Sequence, residues 1–226
     1  MKLEKKVTNN SISNQVYQLL KEHIINLTIK PGTAISEKEI AEKLEVSRTP
    51  VREAFVRLVQ DDLLEIFPQK GTQVTLIDLK QVEDARFIRE HLEKATLKIA
   101  CQRIKKNQLL ELKKIVSQQI ESIKKNQFDK FFQLDESFHQ LIVNISENEK
   151  VWQAIQREDA HLKRIRVLSL FNEMKSKNII EEHQKIIEAL EQRDDVQALQ
   201  ILEKHVSQLA IEGEILKEEF PTYFTQ

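Results

Sequence analysis

The chain has 226 residues, of which three are glycine and four proline; average usage of roughly 7% and 5% would give about 27. A shortage of that size excludes glycine-rich phosphate loops and turn-dense all-β sandwiches or barrels, and with 31% charged residues it predicts a mainly α protein. Net charge is −1, from 35 basic and 36 acidic side chains, so the total shows no bias toward polyanions, although a local basic surface can still exist.

The seven helix breakers are unevenly placed. Pro31, Gly32, Pro50, Pro68 and Gly71 precede residue 72, and only Gly213 and Pro221 follow. This boundary divides the chain into residues 1–77 and 78–226. The N-terminus MKLEKKVTNN has no apolar run behind its basic residues, and no window holds 18 uninterrupted apolar residues, so neither a signal peptide nor a membrane span is expected. A single cysteine, Cys101, suits a reducing compartment. The expectation is a cytoplasmic protein.

From Ser13 to about Thr28, Val16, Leu19, Leu20, His23, Ile24 and Leu27 recur at helical spacing, and Pro31-Gly32 should stop that helix. Ser36 before Glu37-Lys38-Glu39 reads as a capping box, with Ile40, Ala41 and Leu44 as the apolar face of a short second helix. Ser47 can cap a third helix that has Pro50 in its first turn and Val51, Ala54, Phe55, Leu58 and Val59 on its inner side. Residues 64–67 and 72–75 read as two short strands around Pro68-Gln69-Lys70-Gly71. Three helices and a hairpin make a winged helix-turn-helix.

Beyond Asp78 the pattern is helical almost throughout: to about Arg103, then near 108–124, 128–145, 149–170, 179–191 and 196–219. Asn126, Asn148 and Asp194 stand at the breaks, as capping residues do. Six long helices with short joints imply an all-α bundle.

In a helix-turn-helix the second helix enters the major groove and its first turn meets the bases. That turn reads Ser47-Arg48-Thr49-Pro50-Val51-Arg52. Arginine bonds guanine O6 and N7 in bidentate fashion, while hydroxyls and helix N-termini suit phosphates. Lys38 on the preceding helix is placed for the DNA backbone, and Lys70 and Gly71 at the wing tip for the minor groove. Alone, the run is equally consistent with a capped surface helix. Charge does not decide, because residues 1–77 hold 11 basic and 10 acidic side chains. The acids, however, lie mainly on the flanks (Glu39, Glu42, Asp61, Asp62).

The segments Ile35-Ser36-Glu37-Lys38-Glu39-Ile40-Ala41, Val46-Ser47-Arg48-Thr49-Pro50-Val51-Arg52-Glu53-Ala54, Leu58, Leu63-Leu64 and Gly71-Thr72-Gln73-Val74 closely resemble the GntR family of bacterial transcriptional regulators. The resemblance covers residues 12–77. It implies that Lys38, Arg48, Thr49, Arg52 and Gly71 touch double-stranded DNA. Two positions depart from the family pattern: Lys38 stands where arginine is frequent, and Asp62 replaces the usual glycine before the first wing strand. Asp tolerates the positive φ of such a turn better than most residues.

In the second part, Asp135 and His139 lie four apart on one helix and project from the same face. His183 and His205 stand on later helices. One carboxylate and three imidazoles from three helices can converge in a bundle core on Zn²⁺, Ni²⁺, Mn²⁺ or Fe²⁺. The competing reading is of separate surface or satisfied core histidines, to which His23, His91 and His161 are assigned. Leu134-Asp135-Glu136-Ser137-Phe138-His139, Glu182-His183-Gln184-Lys185 and the late His205, together with Arg89-Glu90-His91-Leu92-Glu93, resemble the FCD effector domain of the FadR-type branch of that family, over about residues 78–220. The resemblance implies that Asp135, His139, His183 and His205 ligate a divalent metal, zinc first among the candidates, with a small organic acid beside it. Arg89 is the first candidate to pair with that acid. Arg164 and Arg166 are further candidates, with a solvated-face reading beside it.

The competing function is a metal-dependent hydrolase, since an Asp/His₃ metal can activate water. No H-E-x-x-H motif or paired E-x-x-H motif occurs, and Glu136 and Glu182 follow or precede ligands on helices, pointing about 100° away from them. A hydrolase has no need of the SRTPVREA run and a wing. The expected protein is therefore not an enzyme but a homodimeric repressor on a palindromic operator, controlled by a small carboxylate effector.

Overall fold

Ser11 opens the chain's first helix in the computed structural model, which describes residues 11–69, 71–170 and 173–226. Two compact units divide after Leu79, and residues Lys217–Gln226 group with the first.

In the first unit the Ser11 hydroxyl accepts the Asn14 N–H at 3.3 Å and starts α1, Ile12–Ile25. Its buried side chains are Val16, Tyr17, Leu20, Ile24 and Ile25. The helix ends before the expected proline: Leu27 takes φ +58° and the Ile29 N–H turns back to the His23 carbonyl at 3.0 Å. The local reversal satisfies a terminal carbonyl that a straight run to Pro31 would leave open. Ser36 caps α2, Glu37–Leu44, through the Glu39 N–H at 3.1 Å. Glu45 at φ +54° makes the turn into α3, Arg48–Gln60, which buries Val51, Ala54, Phe55 and Leu58 and leaves Val59 half-buried. Ser47 stands at the N-cap position of α3, but its side chain makes no capping bond.

The wing has three strands rather than the two expected. β1 (Ala34–Ile35), β2 (Leu64–Phe67) and β3 (Gly71–Val74) pair antiparallel in the order β1-β3-β2. Two residues are too few to show the alternation by which a strand is read, so β1 is visible only through its partners Gln73 and Thr72. Asp62 takes φ +53°, the turn conformation the sequence comparison asked of it.

The last residues also pair here. The Ile77 N–H donates to the Tyr223 carbonyl at 2.7 Å, and the Thr225 N–H to the Ile77 carbonyl at 3.0 Å, in a parallel bridge that buries Ile77 and Phe224. Sequence reading assigned all of 78–226 to the helical part. A pairing between residues so far apart leaves no local pattern in the chain.

The second unit is built from α4 (Leu79–Arg103), α5 (Lys106–Lys124), α6 (Phe128–Ile145), α7 (Glu149–Glu158), α8 (Ala160–Ser169), α9 (Glu173–Gln192) and α10 (Asp195–Glu219). The single helix expected over 149–170 is broken at Asp159 into α7 and α8. Every residue of α8 is buried, whereas α7 buries only Trp152 and Ile155. An amphipathic helix lies on a surface and one covered all round runs inside, so the change of environment fits a change of direction. Asp194 caps α10 by accepting the Gln197 N–H at 2.9 Å. Asn126 instead takes φ +54° beyond the end of α5.

Candidate metal centre

Asp135 and His139 lie one turn apart on α6, His183 on α9 and His205 on α10. Each offers a ligand atom, and the four atoms lie within 4.8 Å of one another. The three imidazoles surround one point: ring centroids are 5.3 Å apart for His139 and His183, 5.2 Å for His139 and His205, and 5.1 Å for His183 and His205. Phe138 stacks on His183 at 3.9 Å and fixes its plane. The atoms facing inward lack partners: Asp135 Oδ1, His139 Nε2 and His183 Nε2 are buried with no hydrogen bond. Such groups carry a desolvation cost unless something binds them. A divalent cation is suited to all of them, since it takes imidazole nitrogen and carboxylate oxygen together.

Electrostatics agree with ligation. Burial lowers the affinity of His139 and His183 for a proton, so both imidazoles are neutral near pH 7 and offer lone pairs. Burial alone would keep the Asp135 carboxyl protonated; Arg166 and the histidines overcome it and hold the group well below the ordinary carboxylate range.

The arginines stand beside this centre. Arg89 on α4 and Arg166 on α8 line a cavity with Asp135, His205, Phe132 and Gln208. Arg166 pairs with Asp135 and with Glu136 Oε1 at 2.5 Å. Arg89 forms an ion pair with Glu93 at 2.7 Å and donates a hydrogen bond to Glu136 at 3.3 Å. Neither Arg166 nor Arg164 is a solvated-face residue, because both are buried. Arg164 bonds His161 Nδ1 at 3.1 Å and is not among the cavity's lining residues. His91 is exposed and bonded to the Phe87 carbonyl, and His23 is half-buried.

Glu136 and Glu182 have structural partners instead of a free face toward the centre. Lys163, Arg89, Arg166 and Gln156 surround Glu136. Burial pushes the Glu136 carboxyl up, but Arg166, Lys163 and Arg89 outweigh it and hold it well below its ordinary range. Glu182 accepts from His205 Nδ1 at 2.8 Å.

On the first unit, Lys38, Ser47, Arg48, Thr49 and Arg52 are exposed. Glu37 takes only a long 3.4 Å bond from Arg52, and Glu42 lies 3.9 Å from Lys38. Gly71 is exposed at φ +100°, with nothing within 4 Å of where a Cβ would stand. Lys70 lies outside the described residues.

Residues 12–74 match the family described as bacterial regulatory proteins, gntR family, and residues 84–208 match the FCD domain. The HTH-type transcriptional repressor RspR of Escherichia coli K12 is 32% identical over 95% of this chain and 94% of its own. The chain belongs to the GntR family of bacterial transcriptional regulators. It carries an FCD domain behind the helix-turn-helix, and it is a regulator rather than an enzyme. Two solved structures share the fold: E. coli McbR/YncC, with a TM-score of 0.79 at 23% identity over 92% of this chain and 99% of that one, and a GntR regulator from Rhodococcus sp. RHA1, with 0.77 at 20% over 92% and 98%. Among the described residues no helix is long and apolar enough to cross a membrane.

Sequence reading included Glu93 in the Arg89–Glu93 segment without a role and had no signal for Gln119, although these two hold two of the histidines. His139 Nδ1 lies 2.7 Å from Glu93 Oε2 and His183 Nδ1 lies 3.0 Å from Gln119 Oε1. Both partners come from other helices, so no fixed spacing marks them.

Proposed function

We propose that this GntR regulator is a homodimeric repressor whose affinity for a palindromic operator is set by a small carboxylate effector bound beside a divalent metal. The observation that carries the reading is the cluster of Asp135, His139, His183 and His205, with its inward atoms unpartnered beside two buried arginines. A bound ion, with zinc the first candidate for three nitrogens and one oxygen, supplies a Lewis-acid position that an acid's oxygen can fill. Arg166 and Arg89 give the acid its charge partners. Arg164 drops out of this role because it faces His161.

Operator recognition falls to α3. Arg48, Thr49 and Arg52 stand exposed on its first turns, with Lys38 on α2 and Gly71 at the wing flanking them. Two-fold symmetry then sets two such helices in successive major grooves, about 34–36 Å apart. Repression is inferred from the similarity to the transcriptional repressor RspR.

The test is fluorescence anisotropy on a fragment of the gene's own promoter at fixed salt. Arg48→Ala and Arg52→Ala are each expected to lose roughly 1–3 kcal/mol. Chelation of the metal is expected to change promoter affinity by about 5–150-fold, the usual span of allosteric coupling. His139→Ala and His183→Ala are expected to lose bound metal in elemental analysis. Full metal content in both variants overturns the ligand set, and wild-type affinity in both arginine variants overturns the recognition helix.

A further inference from the structure

All three imidazoles of the cluster are held by the same nitrogen. His139 Nδ1 meets Glu93 Oε2 at 2.7 Å, His183 Nδ1 meets Gln119 Oε1 at 3.0 Å, and His205 Nδ1 meets Glu182 Oε2 at 2.8 Å. Each partner presents an oxygen that only accepts, so each imidazole donates from Nδ1–H. A neutral ring that carries its proton on Nδ1 exposes a lone pair on Nε2. The Nε2 atoms of His139 and His183 are among the buried atoms with no hydrogen-bond partner, and His183 Nε2 lies 3.5 Å from Asp135 Oδ1.

We propose that Glu93, Gln119 and Glu182 are positioning residues that lock the three histidines in the Nδ1–H tautomer and turn every Nε2 toward Asp135. The inference rests on reading the cluster as a metal centre. Outer partners of this kind orient ligands and typically change metal affinity about 10–100-fold when removed.

The three acceptors are not equivalent, and their surroundings explain why. Glu93 is buried but shares Arg89, whose guanidinium lies 2.7 Å away and balances its charge. Glu182 is buried as well, and Gln208 also donates to it at 3.1 Å. Gln119 is fully buried, and no cation is bonded to it among the described residues. A carboxylate there would be an uncompensated buried charge. The neutral amide gives His183 an acceptor without that cost. Glu93 therefore links the centre to an arginine of the cavity, while Gln119 serves the imidazole alone.

The experiment uses the full-length protein stripped of metal, with Co²⁺ alone as probe. Its visible absorption reports coordination, and competition with a chelator gives the affinity. Gln119→Leu and Glu182→Leu, which lose the acceptor, are expected to bind Co²⁺ about 10–100-fold more weakly. Gln119→Glu and Glu182→Gln, which keep an acceptor oxygen, are expected to bind close to the parent, with Gln119→Glu less stable when metal-free.

Nitrogen-15 NMR of the metal-free parent supplies a second readout that needs neither a variant nor a metal. All three histidines are expected to be protonated at Nδ1 and bare at Nε2, and Gln119→Leu is expected to release His183 from that tautomer. Parent spectra with the proton on Nε2, or leucine variants that bind Co²⁺ like the parent, overturn the proposal. A parent with the stated tautomers that binds no Co²⁺ supports the positioning and overturns the metal centre.

Discussion

Glu136 shows how a single half-buried residue among buried cations can be more structural than its motif suggests. It follows the candidate ligand Asp135 and invites a catalytic reading, yet Arg89 and Arg166 hold it at 3.3 and 2.5 Å, with Lys163 at 3.4 Å. Removing one partner of a buried charge network leaves the others desolvated without compensation. Glu136→Ala is expected to destabilise the protein by about 3–5 kcal/mol in chemical denaturation. Cys101 gives a residue-scale prediction about pH. It is fully buried, and burial, with Asp195 and Asp194 near it, pushes its thiol up to about 11. The reactive form is the thiolate, so at pH 8 the native thiol is expected to resist alkylation and to react fully once the chain is denatured.

At the scale of elements, agreement between sequence and structure follows locality. α6 spans the expected residues 128–145, and α4 ends at the expected Arg103, because each carries its own apolar spacing and break. Elements shaped by distant partners were illegible: β1, the break at Asp159 and the closing of the tail on Ile77. The same distinction divides the site. Asp135 and His139 show as an i, i+4 pair, whereas Glu93 and Gln119 take their meaning from histidines on other helices. The tail carries its own test. Phe224 is 3% exposed and Ile77 is fully buried, so Phe224→Ala is expected to cost about 3–5 kcal/mol, read as a lower melting temperature. A melting temperature equal to the parent's would show that the tail adds nothing to the first unit.

The whole molecule has two units with separate tasks, and one residue lets them be followed apart. Trp152, the single tryptophan, lies in the helical unit among Val143, Ile155 and Leu92, with the Arg89 guanidinium 6.0 Å from its ring. Its fluorescence therefore reports that unit alone. A ligand that binds only the folded state adds about 2.7 kcal/mol at a hundredfold excess over its Kd. Divalent metal is expected to raise the fluorescence melting temperature of the parent and leave that of His183→Ala unchanged. An equal rise in both would place the metal elsewhere.

What the sequence determined alone was whatever is written in short-range spacing: two parts, a winged helix-turn-helix with Arg48 and Arg52 on its third helix, a helical bundle, and four residues of ligand type. Those features depend on helix period, caps and breakers, which act within a few residues. Tertiary structure decided which side chains meet. It brought ligand atoms from three helices within 4.8 Å. It buried Arg166 against Asp135 and turned Arg164 toward His161. It also supplied the acceptors that orient each imidazole. The ion partners of a buried arginine and the tautomer of a buried histidine come from groups far away in the chain, and only packing puts those groups beside them.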